Sequence, residues 1–420
     1  MHPAGAVSLS SAARRPGSGR ARGAPTAAID EDVRGAVERT LAEIMAERVE
    51  QVAAVDCRFA RDVGERVARF TGSGGKRMRA QLVWWAMRAC GGGTAEANAA
   101  LRIAAALELI QTCALVHDDV MDGSPRRRGG PSFHAQLESQ YAASAATSPQ
   151  GSPFAASAAI LAGDLALVWA DDVLTDTEFP SGARSRVLHI WRAMRTEMIA
   201  GQYLDLHGQM TGSASAALAI RTVTLKTALY SVERPLAIGA ALAGSDARTA
   251  RALSAAGRCA GIAFQLRDDL EGVFGDSLQT GKPSGDDVRA GKPTFLVTVA
   301  RARAEARGDL RSLSVLDGAL GDPGLSHDGL ERVREVLTGT GARSAVEDKI
   351  ERMTARSTRH LRAAALGGFA GQALNRLLTS VASTVPRPPA PKAWSARRLG
   401  PYGLREESPS PDGVIGGADR

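Results

Sequence analysis

Three aspartates and three arginines lie within eleven residues in the stretch LVHDDVMDGSPRRRGG, residues 115–130. Asp118 and Asp122 are four residues apart, so on a helix their carboxylates project side by side. Such carboxylates repel each other, and the negative end of a helix dipole adds to the repulsion, unless a cation lies between them. Carboxylate oxygens select a hard metal, and Mg²⁺ is commonly held by one or two carboxylates and completed by substrate phosphates. The stretch therefore predicts a Mg²⁺ site, with a charged surface helix end as the alternative.

A second acidic stretch, FQLRDDLEGVFGD at residues 264–276, also runs an apolar segment into adjacent aspartates, Asp268 and Asp269. Two helices that end in this way could face each other across a cavity. The second stretch therefore favours a shared metal-binding centre.

Lysine is rare in this chain, since only six of its 52 basic residues are lysines. Four of the six lie in the short polar motifs GSGGKRMRA, TLKTALY, TGKP and AGKPT, at Lys76, Lys226, Lys282 and Lys292. A compact, rotatable ammonium group suits a phosphate oxygen. These positions predict phosphate contacts, with chance placement as the alternative.

The elements that must position these groups are predicted to be helices. From Val33, apolar residues recur every three to five positions at Val37, Leu41 and Ile44, as in an amphipathic helix. Further Ala- and Leu-rich segments cover residues 78–90, 98–119, 156–176, 184–209, 217–242, 247–273 and 293–306. Strand-like alternation is nearly absent. The pattern predicts one large all-α domain whose active groups project inward from facing helices.

The positive charge lies mainly in the two tails. Of the net charge of +7, residues 1–28 contribute +4 and residues 386–420 contribute +2, which leaves +1 for residues 29–385. Both tails are rich in Pro, Gly, Ser and Arg, which predicts disordered segments around a domain at 29–385. An organelle transit peptide is the alternative for the first tail. With aromatics at only 4%, a nucleic-acid surface is not expected.

The remaining composition predicts a soluble cytoplasmic protein. We find no run of eighteen uncharged apolar residues and therefore expect no transmembrane segment. The four cysteines, Cys57, Cys90, Cys113 and Cys259, form no CxxC motif, so we expect buried thiols in a reducing compartment.

Seven motifs, in this order, resemble those of the trans-isoprenyl diphosphate synthases, the polyprenyl synthetase family. They are GGKRMR, LVHDDVMDGSPRRRGGPSFH, LAGD, GQYLDL, LKT, FQLRDD and GKPT, between residues 70 and 300. The resemblance implies a helical bundle of the isoprenoid synthase type with a central active-site cavity. It also implies head-to-tail condensation of isopentenyl diphosphate with an allylic diphosphate such as dimethylallyl, geranyl or farnesyl diphosphate.

The resemblance assigns roles to matching residues. Asp118, Asp122 and Asp268 correspond to metal ligands, with Asp119 and Asp269 as assisting carboxylates. Residues that grip the allylic diphosphate correspond to Arg127, Lys226 and Lys282; a separate pocket for isopentenyl diphosphate corresponds to Lys76, Arg79, Gln111 and Arg128. Thr227, Phe264 and Gln265 resemble residues beside the carbocation. The implied cofactor is Mg²⁺, three ions per site with Mn²⁺ as a substitute, and the implied assembly is a homodimer.

Other matching positions are open to two interpretations. Asp164 and Gln202 match family motifs but are equally explained by hydrogen bonds between helices. Lys292 is either a phosphate contact or a charge that makes no contact.

Three positions depart from the family pattern. The second acidic motif has Gly272 where a third aspartate is expected, which predicts weaker metal binding without loss of activity. Arg126 replaces a residue that is often small, and Ala80 replaces a proline.

Two other functions remain as alternatives. A terpene cyclase would share the bundle, but DDVLTDTEF from Asp171 does not fit its second metal motif, and we interpret it as a solvated helix end. An inactive regulatory subunit is favoured only by Gly272.

Product length depends on Cys113 and Ala114, which lie five and four residues before Asp118. In the family, large aromatic residues there stop elongation at C15, so these small side chains predict geranylgeranyl diphosphate, C20, or a longer product. Trp84, Trp85 and Met87 are candidates for the floor of the pocket, with core packing as the alternative.

Overall fold

The computed structural model describes residues 26–146, 153–275 and 284–382, which are almost entirely helical and confirm the predicted all-α fold. Most of the two predicted tails lies outside these residues, and the first described helix begins at Thr26. The α-helices are α1 (Thr26–Glu31), α2 (Val33–Val55), α3 (Cys57–Phe59), α4 (Glu65–Gly72), α5 (Met78–Ala89), α6 (Thr94–Met121), α7 (Phe133–Gln140), α8 (Ala142–Ala146), α9 (Phe154–Thr175), α10 (Ala183–Thr211), α11 (Ala216–Thr222), α12 (Arg234–Leu242), α13 (Ala247–Phe274), α14 (Asp286–Arg289), α15 (Phe295–Arg307), α16 (Leu310–Ala319), α17 (His327–Gly339), α18 (Ala342–Ala363) and α19 (Gly368–Ala382).

Two segments adopt the wider π-helix, Ala60–Gly64 and Val223–Glu233. The second, here called the π segment, joins α11 to α12 without a break. The prediction of one helix over residues 217–242 therefore holds for its position, while its middle is wound differently.

Helix α6 lies in the core of the bundle because it is apolar on nearly all sides. Ile103, Leu107, Leu109 and Ile110 are each 0% exposed. The helix packs against α9, α5 and α2. Its last turn carries the first acidic motif, so the core fixes the direction in which those carboxylates point.

Glycines bring the backbones of α10, the π segment and α13 into close contact. A Cβ atom on Gly201 of α10 would lie 2.3 Å from the backbone nitrogen of Lys226. A Cβ atom on Gly261 of α13 would lie 2.6 Å from Cα of Ala228. Only glycine fits at such contacts, and these two glycines hold the π segment between two long helices.

Helix α13 begins at a capped N-terminus. The carboxylate of Asp246 accepts hydrogen bonds from the backbone nitrogens of Arg248 at 2.8 Å and Thr249 at 3.0 Å. This cap places the start of α13 at residue 247, as predicted, and the helix then runs to the second acidic motif.

The two strands of the described residues form a hairpin directly after α6, in which Arg126–Arg127 (β1) pairs antiparallel with Gly130–Pro131 (β2). Arg128 and Gly129 form the turn, with φ of 53° and 82°. Positive φ at both central residues is the requirement of a type I′ turn. Arg126 donates to the backbone oxygen of Gly129 at 3.0 Å, which gives this family-atypical residue a role in holding the turn.

Two helices of the described residues, Thr94–Met121 and Phe154–Thr175, are long and apolar enough to cross a membrane by length and composition. Length and composition alone do not overturn the expectation of no transmembrane segment, because a buried core helix meets the same criteria. The first is mostly buried inside the protein, as is usual for the core helix of a soluble domain; the second is less than half buried.

All four cysteines are free. Cys113 and Cys259 are buried and Cys90 is half-buried, but Cys57 is exposed, so the prediction of buried thiols is wrong for Cys57.

Candidate active site

The last turn of α6 presents Asp118 to hydrogen-bond donors from three other elements, two of them cationic. Its carboxylate accepts hydrogen bonds from Lys226 of the π segment at 3.2 Å, Gln202 of α10 at 3.2 Å and Arg127 of the hairpin at 3.1 Å. Burial raises the pKa of Asp118, whereas the nearby positive charges of Lys226, Lys292 and Arg127 lower it. The effect of the charges is larger, so the pKa lies below its usual range. Asp118 is therefore an ionised carboxylate.

Asp119 is buried inside the protein and shares Arg127 with Asp118. It is 0% exposed and accepts a hydrogen bond from Nε of Arg127 at 2.7 Å. Its Oδ2 atom is buried and has no hydrogen-bond partner among the described residues. Burial raises the pKa of this carboxyl. The geometry gives Asp119 the task of orienting Arg127.

Asp122 is paired with a lysine from a distant part of the chain. Nζ of Lys292 donates to Asp122 at 2.8 Å and lies 3.9 Å from Asp287. Burial lowers the pKa of Lys292, but Asp287 and Asp122 raise it above its usual range. Lys292 is therefore a cation paired with the first acidic motif.

Lys226 bridges two carboxylates. Besides Asp118 it donates to Asp205 of α10 at 2.6 Å. Asp205 was not among the predicted site residues, although it lies in the GQYLDL motif that carried the resemblance. The rarity of lysine in the sequence singled out Lys226. Its second partner, Asp205, is visible only in the structure, where α10 packs against the π segment.

The two aspartates of the second acidic motif differ in solvent exposure. Asp268 is exposed, whereas Asp269 is buried and accepts from Nε2 of Gln265 at 2.8 Å. Oε1 of Gln265 accepts from the hydroxyl of Thr227 at 2.8 Å. Burial raises the pKa of Asp269 well above its usual range, and the neighbouring charge of Asp287 raises it further. Phe264, half-buried on the same helix, packs against the core.

The space left by Gly272 lies beside another carboxylate. A Cβ atom on Gly272 would lie 3.4 Å from Oδ2 of Asp287, and the backbone nitrogen of Gly285 donates to the oxygen of Gly272 at 2.8 Å. Gly272 is four residues after Asp268, so the two share a face of α13. Asp287, which the sequence analysis did not select, thus brings a carboxylate to the face that lacks one.

A second group of polar residues lies around the start of α5. Arg79 donates to the hydroxyl of Ser231 at 2.6 Å, and its guanidinium lies 4.5 Å from the centre of the Tyr230 ring. The hydroxyl of Tyr230 donates to Oε1 of Gln111 at 2.9 Å. The predicted residues Arg79 and Gln111 are therefore connected through Tyr230, a buried residue of the π segment.

The turn of the hairpin directs Arg128 toward this second group. Its guanidinium lies 5.7 Å from the Phe70 ring, and one of its nitrogens lies 3.9 Å from the Cβ position of Gly75. Desolvation lowers the pKa of Arg128, and the neighbouring charges of Arg77 and Arg127 lower it further. Lys76, next to Gly75, is exposed. The excess of positive charge at these groups favours an anion.

Arg77 supports the loop from inside. It has φ of 48° and is buried, and it donates to Glu108 of α6 at 2.6 Å and to the backbone oxygen of Gly72. The buried ion pair thereby fixes the segment that carries Lys76 onto the core helix.

Three further residues from the sequence analysis are not seen in either group. Lys282 lies outside the described residues. Asp171 is not a solvated helix end, because it accepts from the Trp191 indole at 2.7 Å and pairs with Arg195, so it joins α9 to α10. Asp164 lies 3.7 Å from His117, a contact between α9 and α6.

The tryptophans after GGKR take part in core packing. The Trp84 indole donates to Asp30 at 2.8 Å, and the Trp85 ring lies edge-on to Phe369 at 5.7 Å. They pack against α1 and α19 respectively, and this geometry supports core packing over a pocket floor. Met87 is fully buried.

The donors at the acidic motifs suit a hard cation. They are all carboxylate oxygens, and Mg²⁺ prefers such ligands. Among the described residues no three Asp, Glu, His or Cys side chains are arranged to hold a metal by themselves. The carboxylates present fit an ion whose remaining ligands are water and a substrate diphosphate. In this structure the ammonium groups of Lys226 and Lys292 balance the charge of these carboxylates.

Comparisons with known proteins identify the family. The Polyprenyl synthetase family model matches residues 62–316. The chain is 32% identical over 280 residues to a geranylfarnesyl diphosphate synthase of Aeropyrum pernix, covering 66% of this chain and 80% of that protein. It is 33% identical over 270 residues to a (2E,6E)-farnesyl diphosphate synthase of Mycobacterium bovis, covering 64% and 68%.

A solved structure gives the same result. The geranylgeranyl pyrophosphate synthase of Corynebacterium glutamicum, crystallised with isoprenyl diphosphate and magnesium, matches with a TM-score of 0.76 and 34% identity over 82% of this chain and 98% of that chain. The chain belongs to the polyprenyl synthetase family and is a prenyltransferase of the trans-prenyl diphosphate synthase type.

Proposed function

We propose that this protein condenses isopentenyl diphosphate with an allylic diphosphate, in a Mg²⁺-dependent head-to-tail reaction, to give geranylgeranyl diphosphate. One observation carries the assignment of two diphosphate pockets. Adjacent arginines of one turn point to different places, Arg127 to the aspartates of α6 and Arg128 to the group around Arg79.

The first pocket takes the allylic diphosphate. Lys226, Lys292 and Arg127 are the cations around Asp118 and Asp122, and each can donate to a diphosphate oxygen. Asp118, Asp122 and Asp268 would hold Mg²⁺, which neutralises leaving-group charge when bound. The bond between C1 and oxygen then breaks, and its electron pair leaves with the diphosphate.

The second pocket holds isopentenyl diphosphate through Lys76, Arg79 and Arg128. Its double bond attacks C1 of the allylic cation, and the new bond leaves a tertiary cation. Loss of a proton to the departed diphosphate restores a double bond and completes the reaction. Exposed Lys76 is placed to make its contact as the substrate enters.

Three residues border the position assigned to the cation. The hydroxyl of Thr227 and the amide of Gln265 are linked by a hydrogen bond, so their dipoles are fixed. Phe264 offers a ring, and a ring face stabilises positive charge. These groups provide no strong base, which protects the cation from early loss of a proton.

Asp287 takes the role of the carboxylate that is absent at residue 272. The support is its position 3.4 Å from the Cβ site of Gly272, together with its proximity to Lys292. Activity should therefore survive the departure from the family motif, because the negative charge is supplied from α14.

Product length rests on Cys113 and Ala114. Cys113 is buried with its sulfur 3.7 Å from Nδ1 of His117, and Ala114 is half-buried. Both lie about one helical turn from Asp118, roughly 6 to 8 Å along the axis. Small side chains there leave room beyond C15, which supports the C20 product.

The apolar outer faces of α9 and α10 support a homodimer. Leu161 and Val168 of α9 are 58% and 55% exposed, and Ile199 and Tyr203 of α10 are 59% and 63% exposed. These pairs are seven and four residues apart, so each forms a stripe on its helix. A second copy of the chain, in the cytoplasm, is the proposed occupant.

The reaction is tested by incubating the protein with Mg²⁺, isopentenyl diphosphate and farnesyl diphosphate and identifying products by mass spectrometry. An elongated diphosphate supports the proposal. A hydrocarbon would indicate a cyclase, and no product would indicate an inactive subunit. Asp118→Ala and Asp268→Ala should each lower turnover by several orders of magnitude, because a metal ligand contributes several kcal/mol to charge stabilisation.

The two pockets are separated by substrate kinetics. Lys76→Ala and Arg128→Ala should mainly raise KM for isopentenyl diphosphate, whereas Lys226→Ala should mainly affect the allylic substrate and kcat. Identical effects of all three variants on both substrates would contradict the two-pocket assignment.

A further inference from the structure

A large cavity lies away from the acidic motifs, among α10, α12, α13 and α18. Its volume is about 980 Å³, and its lining on α13 runs from Ala250 to Cys259. Cys259 precedes Asp268 by nine residues, which is roughly 13 Å along a helix axis. This space, here called the basic cavity, is therefore separate from the active site proposed above.

The lining of the basic cavity is cationic. It contains five arginines and two histidines and, within the described part of the chain, no aspartate or glutamate: Arg186, His189, Arg234, Arg251, Arg258, Arg356 and His360.

Two of these arginines form ion pairs with glutamates that do not line the cavity. Arg258 donates to the buried Glu233 at 2.6 and 2.9 Å, and Arg234 donates to Glu197 at 2.8 Å. For Arg251 and Arg356, which are exposed at the cavity, we find no ion pair within residues 26–146, 153–275 and 284–382. Arg186 likewise has no ion pair among these residues and donates only to the backbone oxygen of Ala241, at 3.3 Å. Three guanidinium groups without a carboxylate partner thus face one space and favour a phosphate-bearing anion, since Arg binds phosphate with paired hydrogen bonds.

Most of the wall residues between the charges are apolar and most are small, and the others are the serines Ser185, Ser245 and Ser254. Ile190, Ala237, Ala241, Ala250 and Ala255 line the same cavity. Alanines leave space for a ligand, and their methyl groups offer it an apolar surface. The basic cavity thus combines guanidinium groups with an apolar interior, which is the complement of an amphiphile with an anionic head.

We propose that the basic cavity is a second, non-catalytic binding site for a prenyl diphosphate. The assignment of this ligand class rests on the proposed function, because the reaction supplies molecules with a diphosphate head and an isoprenoid tail. The diphosphate contacts Arg251 and Arg356, and the tail lies along the alanines. The site also adjoins Glu233, the last residue of the π segment that carries Lys226.

The test measures binding of geranylgeranyl diphosphate by calorimetry, in EDTA, to three forms of the full chain. The wild type should bind two equivalents. Arg251→Glu combined with Arg356→Glu should weaken one of them at least tenfold. Arg311→Glu combined with Arg332→Glu makes the same charge change at exposed arginines of α16 and α17, and should bind as the wild type does.

Additional ligands establish the chemical class. Inorganic pyrophosphate and geranylgeraniol should each bind the basic cavity at least tenfold more weakly than geranylgeranyl diphosphate. Equal binding of pyrophosphate would overturn the assignment to an amphiphile, and equal affinity of the cavity and control variants would overturn the site.

A folding control and an activity control complete the experiment. Arg251→Gln with Arg356→Gln, a milder change, should reproduce the binding loss with an unchanged melting temperature. Initial rates of condensation at low product should stay within twofold of the wild type. If the wild type did not elongate prenyl diphosphates, the proposed function would fail while the binding result could still be obtained, so the two are distinguishable.

Discussion

Removing the Lys226 ammonium should strengthen Mg²⁺ binding to the substrate-free protein while it weakens catalysis. In the structure this ammonium lies 3.2 Å from Asp118 and 2.6 Å from Asp205. It therefore occupies the carboxylate oxygens that Mg²⁺ would use. Burial lowers the pKa of Lys226, but Asp118 and Asp205 raise it above its usual range, so the group is charged throughout the neutral range.

The size of the effect follows from the distance and exposure of the pair. Two unit charges 3.2 Å apart interact by about 5 kcal/mol at an effective dielectric constant near 20. The side chains of Lys226 and Asp118 are 29% and 19% exposed, so water recovers part of this energy. The net contribution of a charged hydrogen bond is about 1.5–3 kcal/mol. Lys226→Ala should therefore raise Mg²⁺ affinity about 10- to 150-fold.

The assay is calorimetric titration of MgCl₂ into the protein at low salt, without any diphosphate. Lys226→Arg keeps the charge and should keep the weak affinity. Lys349→Ala, a change at a lysine that lies over the Phe295 ring, should also leave the titration unchanged. An unchanged or weaker Mg²⁺ affinity in Lys226→Ala would refute the idea that the ammonium and the metal compete for the same oxygens.

Three further predictions concern other parts of the site. Asp287→Asn should weaken Mg²⁺ binding in the presence of inorganic pyrophosphate about tenfold, whereas Asp286→Asn, a change at its exposed neighbour, should not; equal effects in the titration would contradict the role of α14. Cys113→Phe with Ala114→Phe should shift the main product toward C15 in mass spectra, and an unchanged product from an active variant would place the tail elsewhere. Glu108→Gln should lower the free energy of unfolding by about 3 kcal/mol in urea titrations, because the buried guanidinium of Arg77 loses its hydrogen-bonded carboxylate and keeps only Glu38, 3.7 Å away. A loss below about 1 kcal/mol would show that the pair is not critical.

The sequence was sufficient to predict the long helices because their apolar faces are continuous. The prediction of a helix at 98–119 corresponds to Thr94–Met121, and that at 247–273 to Ala247–Phe274. The winding of Val223–Glu233 could not be predicted, since its residues have ordinary helical preferences. Close packing against Gly201 and Gly261 accompanies the wider form, and such packing is a property of three helices together.

The candidate site was predictable where chemistry lies in a short motif. Lys226 contacts Asp118 and Lys292 contacts Asp122, so two of the selected lysines lie at the first acidic motif. Asp205 and Asp287 were missed because each contributes a single carboxylate from a polar stretch, and only tertiary contacts bring it to the others. For Trp84 and Trp85 the sequence suggested a role that the packing does not support. Their size suggested a pocket floor, but they contact residues of α1 and α19 in the core.

The left-handed backbone conformation of Arg128 lowers thermal stability at a position where the side chain is proposed to bind substrate. Its φ of 53° is more natural for glycine or asparagine, and a larger residue there costs on the order of 1 kcal/mol. Replacing it with Asn or Gly would relax the turn and remove a cation from the proposed isopentenyl diphosphate pocket. Libraries screened only for thermostability should accumulate such replacements at residue 128, so a growth or turnover screen must accompany them to retain a working enzyme.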